Sequence, residues 1–324
     1  MAKILVTGGM GFIGSHIVDA CVARKDEVFL VDDLSSGKKE NANPKAPNFE
    51  IDIFDAEKLE KVFQEIRPEI IFHCAALARI QPSFENPDRY FQVNAIGTRN
   101  ILRFAKKYKT RRVVYSASSS AYGDQDAPAL YEGMKITSQS LHPYGSTKRM
   151  GEMLMRDMGK ATGGPETVCL RYFNVYGPRQ TTTADGPYAT VIGIFLDQAQ
   201  RGEPLTIVPD GDQRRDFTWV GDVVKANLLA AESSKAGGGE IINIGSGENH
   251  SIWGVASLVL GRNENTDNEE LLKSGKCVMA PPRRGEVRQT LADISLAYEL
   301  LGWRPEVSFK EGIDLLKSGL NNKI

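Results

Sequence analysis

Tyr144 and Lys148, in Tyr144-Gly145-Ser146-Thr147-Lys148, stand at i and i+4 and share one face of a helix that Pro143 can open. A phenol ordinarily titrates near ~10, too high for a base at neutral pH. A neighbouring ammonium and a bound cationic ring both favour the phenolate, so this pair can take a proton from a hydroxyl. Tyr131 and Lys135 share the spacing. Tyr131, however, lies beside Gly133 in an irregular polar stretch, whereas Tyr144 heads the amphipathic run Met150, Met153, Leu154, Met158. Tyr144 is the expected base. The run Ser116-Ala117-Ser118-Ser119-Ser120-Ala121-Tyr122-Gly123 offers hydroxyls to hydrogen-bond a reacting oxygen. It directly follows an apolar strand, at the edge where open α/β sheets bind ligands.

A second constellation points to a dinucleotide. Gly8-Gly9-Met10-Gly11-Phe12-Ile13-Gly14 follows the strand Lys3–Thr7 and opens the helix Ile13–Arg24. Glycines at 8, 11 and 14 suit a tight turn, close backbone approach to a pyrophosphate, and close helix–strand packing. Asp32 ends the next strand, where a carboxylate accepts hydrogen bonds from an adenosine ribose and repels a 2′-phosphate. Asp33 adds to that repulsion and Lys38 and Lys39 offset part of it. NAD is therefore expected rather than NADP, with Asp52-Ile53 flanking the adenine.

The elements that position these residues alternate. The apolar strands Lys3–Thr7, Glu27–Asp32, Ile70–Ala75 and Arg112–Ser116 are separated by helices Ile13–Arg24, Ala56–Glu65 and Val93–Lys107. Val168–Tyr172 and Ile241–Ile244 are later strands of the same buried type. The pattern predicts an α/β fold, a doubly wound parallel (Rossmann) sheet with a smaller C-terminal α/β lobe. Residues 1–174 are expected to bind the cofactor, with later returns near 215–247, and 175–324 mainly the substrate. Pro178, Pro187, Pro204, Pro209, Pro281 and Pro282 break that second part into short pieces. A surface turn is expected at Lys235–Gly239 and a solvated polar stretch over 261–270.

Composition excludes several classes. The 324 residues are 41% hydrophobic and 25% charged, with 40 Lys+Arg against 41 Asp+Glu, too balanced for a general nucleic-acid binder. No apolar run reaches membrane-spanning length, and the N-terminus lacks the h-region of a signal peptide, so a cytoplasmic protein is expected. Cys21, Cys74, Cys169 and Cys277 form no C-x-x-C pair, and His16, His73, His142 and His250 have no i, i+4 spacing, so no metal site is expected.

Taken together, several motifs resemble the extended short-chain dehydrogenase/reductases that act on nucleotide sugars. They are Thr7-Gly8-Gly9-x-Gly11-x-x-Gly14, Asn94-Ala95-x-Gly97-Thr98, Tyr144-x-x-x-Lys148 and Arg171-Tyr172-Phe173-Asn174-Val175-Tyr176-Gly177-Pro178. Arg215-Asp216-Phe217-Thr218-Trp219-Val220 and Arg284-Gly285-Glu286-Val287 extend the resemblance over nearly the whole chain. Within the family the chain is most similar to NAD-dependent UDP-hexose 4-epimerases, especially those accepting N-acetylhexosamines. The resemblance implies that Ser118 is the catalytic hydroxyl, Tyr144 the base, and Lys148 the ligand of the nicotinamide ribose. It implies a cofactor shell of Gly8, Gly11, Phe12, Ile13, Gly14, Asp32, Asp33, Gly37, Asp52, Ile53, Ala75, Ala76, Asn94, Ser116 and Tyr172, besides Tyr144 and Lys148. Asn174, Arg215 and Arg284 are the implied diphosphate and nucleotide contacts, arginine being suited by its bidentate fork. Ser83, Ser118, Ser119, Tyr144, Val191, Glu286 and Thr290 complete the implied substrate set. Ser140-Leu141-His142 departs from the family's usual residues, which bears on the shape of that loop.

Dehydratases and decarboxylases of the family carry acids after the catalytic hydroxyl, where this chain has Ser119 and Ser120. A lyase needs such a group to move a second proton, whereas epimerisation at C4 needs one acid/base. The expected reaction is oxidation of a UDP-hexose to a transient 4-keto sugar and its reduction from the other face. The alternatives are a UDP-glucuronate epimerase, a dehydratase, a decarboxylase or reductase, or a non-catalytic NAD-binding protein. Thr290 stands where resembling epimerases border the C2 substituent, and a small residue there leaves room for an N-acetyl group. Segment Gln180–Ala189 also resembles the N-acetyl-accepting group. Apolar stripes at Ile101, Leu102, Ala105 and at Met150, Met153, Leu154 suit core packing, and the resemblance adds pairing across a two-fold axis in a homodimer.

Overall fold

The computed structural model describes residues 1–136, 142–282 and 287–321, the side chains of Pro187, Tyr188, Leu320 and Asn321 excepted. Seven parallel strands form the central sheet: β1 (Lys3–Thr7), β2 (Glu27–Val31), β3 (Asn48–Phe49), β4 (Ile70–His73), β5 (Arg112–Ser118), β6 (Glu166–Tyr172) and β7 (Gly238–Ile244). Their spatial order is β7-β6-β5-β4-β1-β2-β3. The chain winds one way from β1 through β2 to β3 and the other way from β4 to β7. Between β1 and β4 lies the switch point, where crossovers diverge and leave a crevice at the carboxyl ends. Register aligns β1, β2 and β4 at their carboxyl ends and lets β5 and β6 run three residues further. Thr7 pairs with both Val31 and His73, His73 with Tyr115, and Ser118 with Tyr172.

The strands read as continuous apolar runs because helices cover both faces. On one face, Ile17, Val18 and Cys21 of α1 (Phe12–Ala23) pack with Val223, Ala226 and Ala230 of the helix Val220–Glu232. On the other, Leu59, Val62, Phe63 and Ile66 of α2 (Ala56–Ile66) meet Ile101, Leu102, Phe104 and Ala105 of α3 (Thr98–Lys107). The stripe Ile101, Leu102, Ala105 is thus consumed inside the chain, where these residues are at most 1% exposed. A π-helical turn, Gln92–Gly97, leads into α3, so the whole of 93–107 is helical as the periodicity predicts. α4 (Pro143–Gly159) packs against the outer side of β5 and β6 through Gly151 and Met155.

Elements differ from expectation mainly at their ends. β5 runs to Ser118, and β4 stops at His73, where the chain leaves the sheet to enter the crevice. The supposed turn at Lys235–Gly239 gives its last two residues to β7, while the end of 261–270 enters a helix, Asn268–Lys273, which the Asp267 carboxylate caps by accepting from Glu269 N–H.

A third core underlies the second lobe. Ile192 and Phe195 of the helix Val191–Gln200 pack with Tyr176, Phe217, Trp253 and Phe309. Among the described residues no helix is long and apolar enough to cross a membrane.

Candidate active site

The crevice at the switch point is a cleft of about 430 Å³, within the range of small-molecule sites. All the expected cofactor residues line it except Gly37 and Asn94. Gly8 has φ 69°, and a Cβ there would lie 2.7 Å from the Ala75 backbone nitrogen; one on Gly14 would lie 2.1 Å from the Gly8 carbonyl. Only glycine lets α1 start hard against β1 and leaves backbone to face a ligand. Gly11 caps α1 without any side-chain hydrogen bond, so no side chain takes up the first-turn N–H groups, a cradle suited to a pyrophosphate.

Asp32 lies at the end of β2, 6% exposed. Its carboxylate accepts from Met10 N–H and Leu34 N–H, both at 2.9 Å. Burial raises its pKa and those donors oppose the rise. Gly37 packs directly on this carboxylate, outside the cleft lining. Arg89 adds a feature the sequence did not suggest: it pairs with Asp52 at 2.6 Å and approaches Asp33 at 3.7 Å. Lys38 is paired with Asp185 at 2.8 Å, so its charge is already engaged there.

At the other end β5 delivers the hydroxyls. Ser118 closes the strand, and its Oγ accepts from Ser120 N–H at 3.2 Å. Lys148 Nζ donates to the Ser116 carbonyl at 2.8 Å and sits 4.9 Å from the Tyr115 ring centre. Burial pushes its pKa down to about 8. Ser116 Oγ shares a 3.1 Å hydrogen bond with Tyr172 Oη, and Tyr172 in turn meets Asn227. Tyr144 is packed edge-on to Tyr90, with ring centres 6.3 Å apart, and stacked on His142 at 6.0 Å. Burial raises its pKa; the Ser118 hydroxyl and the charge of Arg79 pull it back. The sequence assigns that pull to Lys148 and a bound nicotinamide ring, and here the Lys148 ammonium also anchors to the backbone of β5.

The helix carrying the pair is capped by His142, whose Nδ1 accepts from Gly145 N–H at 3.0 Å with Pro143 in the first turn. Burial pushes His142 down to about 4, so it stays neutral and able to accept. Asn94 lies outside the cleft lining but fixes its walls. Its amide donates to Leu77 O at 2.9 Å and to Thr147 Oγ1 at 3.0 Å, and its oxygen accepts from Leu77 N–H at 2.8 Å.

Of the expected substrate residues, Ser118, Ser119, Tyr144 and Asn174 line the cleft. Ser83 is buried behind it and donates to Ile80 O; Val191 starts its helix two residues beyond the lining residue Ala189. Arg215 is buried beside the cleft, with Nη1 donating to Arg214 O at 2.9 Å. Thr290 is one contact removed, its Oγ1 accepting from Asn174 Nδ2 at 3.4 Å. Arg284 and Glu286 lie outside the described residues. Arg79 lines the cleft and was not foreseen; Thr181 and Ala189, from the expected segment Gln180–Ala189, line it too. A lone basic residue in Ala75-Ala76-Leu77-Ala78-Arg79-Ile80, just past a buried strand, was the available signal.

Residues 4–245 match the NAD dependent epimerase/dehydratase family. The chain is similar to the crystal structure of UDP-glucose 4-epimerase with UDP-glucose from Thermotoga maritima, with 37% identity, a TM-score of 0.89 and 99% of each chain covered. It is similar also to UDP-N-acetylglucosamine 4-epimerase from Methanobrevibacter ruminantium in complex with UDP-N-acetylmuramic acid, at 33% identity and a TM-score of 0.84, over 98% of this chain and 99% of that one. A UDP-N-acetyl-alpha-D-glucosaminuronate decarboxylase of Bacillus cytotoxicus is 32% identical over 323 residues, 96% of this chain and 95% of its own.

Proposed function

The chain belongs to the NAD-dependent epimerase/dehydratase family, and from that premise we propose that it interconverts UDP-hexoses at C4. The expected pair is UDP-N-acetylglucosamine and UDP-N-acetylgalactosamine, with UDP-glucose and UDP-galactose as further substrates. One observation carries the choice of reaction. Among the described residues, the acids lining the cleft are Asp32, Asp33 and Asp52, all around β2 and β3. Ser118 and Tyr144 stand by β5, with β4 and β1 between, roughly 14 Å away at sheet spacing. Among the described residues no carboxyl group lines that end of the cleft to move the second proton of a dehydration or decarboxylation.

The residues divide the work. Tyr144 takes the proton of the sugar's 4-hydroxyl and later returns one to the 4-oxygen. Ser118 hydrogen-bonds the same oxygen and fixes its distance from Tyr144. Lys148 orients the ribose of the cofactor, and Asp32 accepts from the adenosine ribose. NAD, when bound, supplies the acceptor and donor of hydride at C4. Asn174, Arg215 and Arg284 hold the diphosphate and nucleotide.

The N-acetyl preference rests on Thr290, a small residue that reaches the cleft through Asn174. Thr290→Tyr tests it. Overpacking costs ~1–3 kcal/mol even before a direct clash, so the variant should lose N-acetyl substrates by roughly tenfold or more relative to plain hexoses. Equal loss on both pairs, or a parent inactive on N-acetyl substrates, would overturn the assignment. Residues 1–174, with the returns near 215–247, hold NAD on this reading, and 175–324 mainly the sugar nucleotide. The four free thiols suit a reducing cytoplasm. The exposed Phe91, Met150 and Met153 suit a homodimer contact along the outer side of α4.

A further inference from the structure

Asp216 is a fully buried carboxylate that the proposed reaction leaves unused. Its partners are neutral donors. Oδ1 accepts from Ser246 N–H at 2.6 Å and from the Ser246 hydroxyl at 2.8 Å. Oδ2 accepts from Gly247 N–H and from Ala292 N–H, each at 3.1 Å. The main chain of Asp216 reaches further: its carbonyl accepts from Asn174 Nδ2 at 3.0 Å, and its N–H donates to Thr290 Oγ1 at 3.4 Å. Three other stretches of chain therefore meet on this residue, Asn174 beyond β6, Ser246–Gly247 beyond β7, and 290–292. Neighbouring pairings close the same frame. Arg214–Arg215 pairs antiparallel with His250–Ser251, just past the loop that Asp216 holds, and Thr290 N–H donates to Arg214 O at 3.0 Å.

We propose that Asp216 is a positioning residue for the nucleotide end of the substrate: its carboxylate ties the loop after β7 and the segment 290–292 to Arg215, and so sets the spacing of Asn174, Arg215 and Thr290 around the ligand. The role rests on the UDP-hexose reading, in which those three residues meet the substrate. The residue type suits it. A carboxylate accepts at both oxygens, and all of its partners here donate. An amide of the same shape accepts at one terminus, so whichever way it turns its NH2 group faces a buried N–H. A buried donor left without an acceptor shifts the local arrangement by roughly tenfold or more. Apparent affinity then falls with the fraction of molecules that keep the competent arrangement. Other elements place the chemistry at C4, β5 holding Ser118 and α4 holding Tyr144 and Lys148. Asp216 thus bears on nucleotide binding rather than on proton transfer.

The test is calorimetric titration of the NAD-loaded protein with UDP, beside steady-state kinetics on UDP-hexoses. Asp216→Asn should weaken UDP binding by about tenfold or more and raise KM in step. Its kcat and its affinity for NAD should stay within about twofold of the parent's, the signature of a lost binding contribution. Ser246→Ala, which removes one donor and leaves the carboxylate in place, should weaken UDP by roughly threefold. Ser246→Thr, which keeps the hydroxyl, should restore the parent's affinity. Asp216→Asn binding UDP as the parent does, or losing NAD affinity as far as UDP affinity, would overturn the proposal. Should Asp216→Asn not fold, the Ser246 variants decide, and equal affinities in Ser246→Ala and the parent overturn it. A parent that does not bind UDP would overturn the UDP-hexose reading and this role with it, a result distinct from variants that match a UDP-binding parent.

Discussion

Tyr144→Phe removes the oxygen proposed to take the sugar's proton while keeping the ring that packs against Tyr90 and His142. Turnover should fall by roughly 10²–10⁴-fold with an unchanged fold. Tyr131 has the same i, i+4 lysine but is 50% exposed in irregular chain, so Tyr131→Phe should leave turnover near the parent's. A dead Tyr131→Phe beside an active Tyr144→Phe would reverse the assignment. At the other end of the cleft, Asp32→Ala removes the proposed acceptor for the adenosine ribose. NAD binding should weaken and discrimination against the 2′-phosphate relax, as measured by titrating both cofactors. Unchanged affinities would show that Arg89, Asp33 and Asp52 set the preference. The tyrosine, lysine, serine and glycines that line the cleft were legible because each stands in a local pattern. Arg79 was not, because the segment after β4 meets Thr181 only across the folded cleft.

His142 shows how an element's end bears on the chemistry. Its neutral imidazole caps α4, and Tyr144 sits in the first turn of that helix. His142→Ala should cost about 1 kcal/mol of stability, and His142→Asn should recover most of it. The pH dependence follows from the same contact. Burial lowers the folded pKa to about 4, so between there and the unfolded value near ~6.5 the unfolded chain binds more protons. The contribution is therefore complete above ~6.5 and is lost progressively as pH falls toward 4. His73, wedged between Thr7 and Thr98 and pushed to about 3, adds the same slope. Denaturant melts across this range should be flatter for His142→Asn; an identical slope would contradict the cap. Strand interiors were legible because parallel strands covered on both faces read as plain apolar runs. Their ends were not, because the exit of β4 and the length of β5 are set by the crevice.

At the scale of the molecule, the doubly wound sheet was legible from strand–helix alternation, whereas the contact surface was only half so. Periodicity marks both stripes alike, but Ile101, Leu102 and Ala105 face Phe63 and its neighbours in the core. Met150 and Met153 are 41% and 59% exposed on α4. Light scattering at micromolar concentration should give twice the 35.6 kDa chain mass for the parent, and Met153→Glu should shift it toward monomer. A monomeric parent would refute the homodimer. On the proposed reaction one base at the end of β5, with no carboxyl group beside it among the described residues that line the cleft, turns over C4 and nothing else. The direct measurement is product analysis with UDP-N-acetylglucosamine carrying deuterium at C4. The expected product is UDP-N-acetylgalactosamine with the deuterium retained at C4, with no accumulated NADH and no loss of water. A 4-keto-6-deoxy product, deuterium washed out to solvent, or no conversion at all would contradict it.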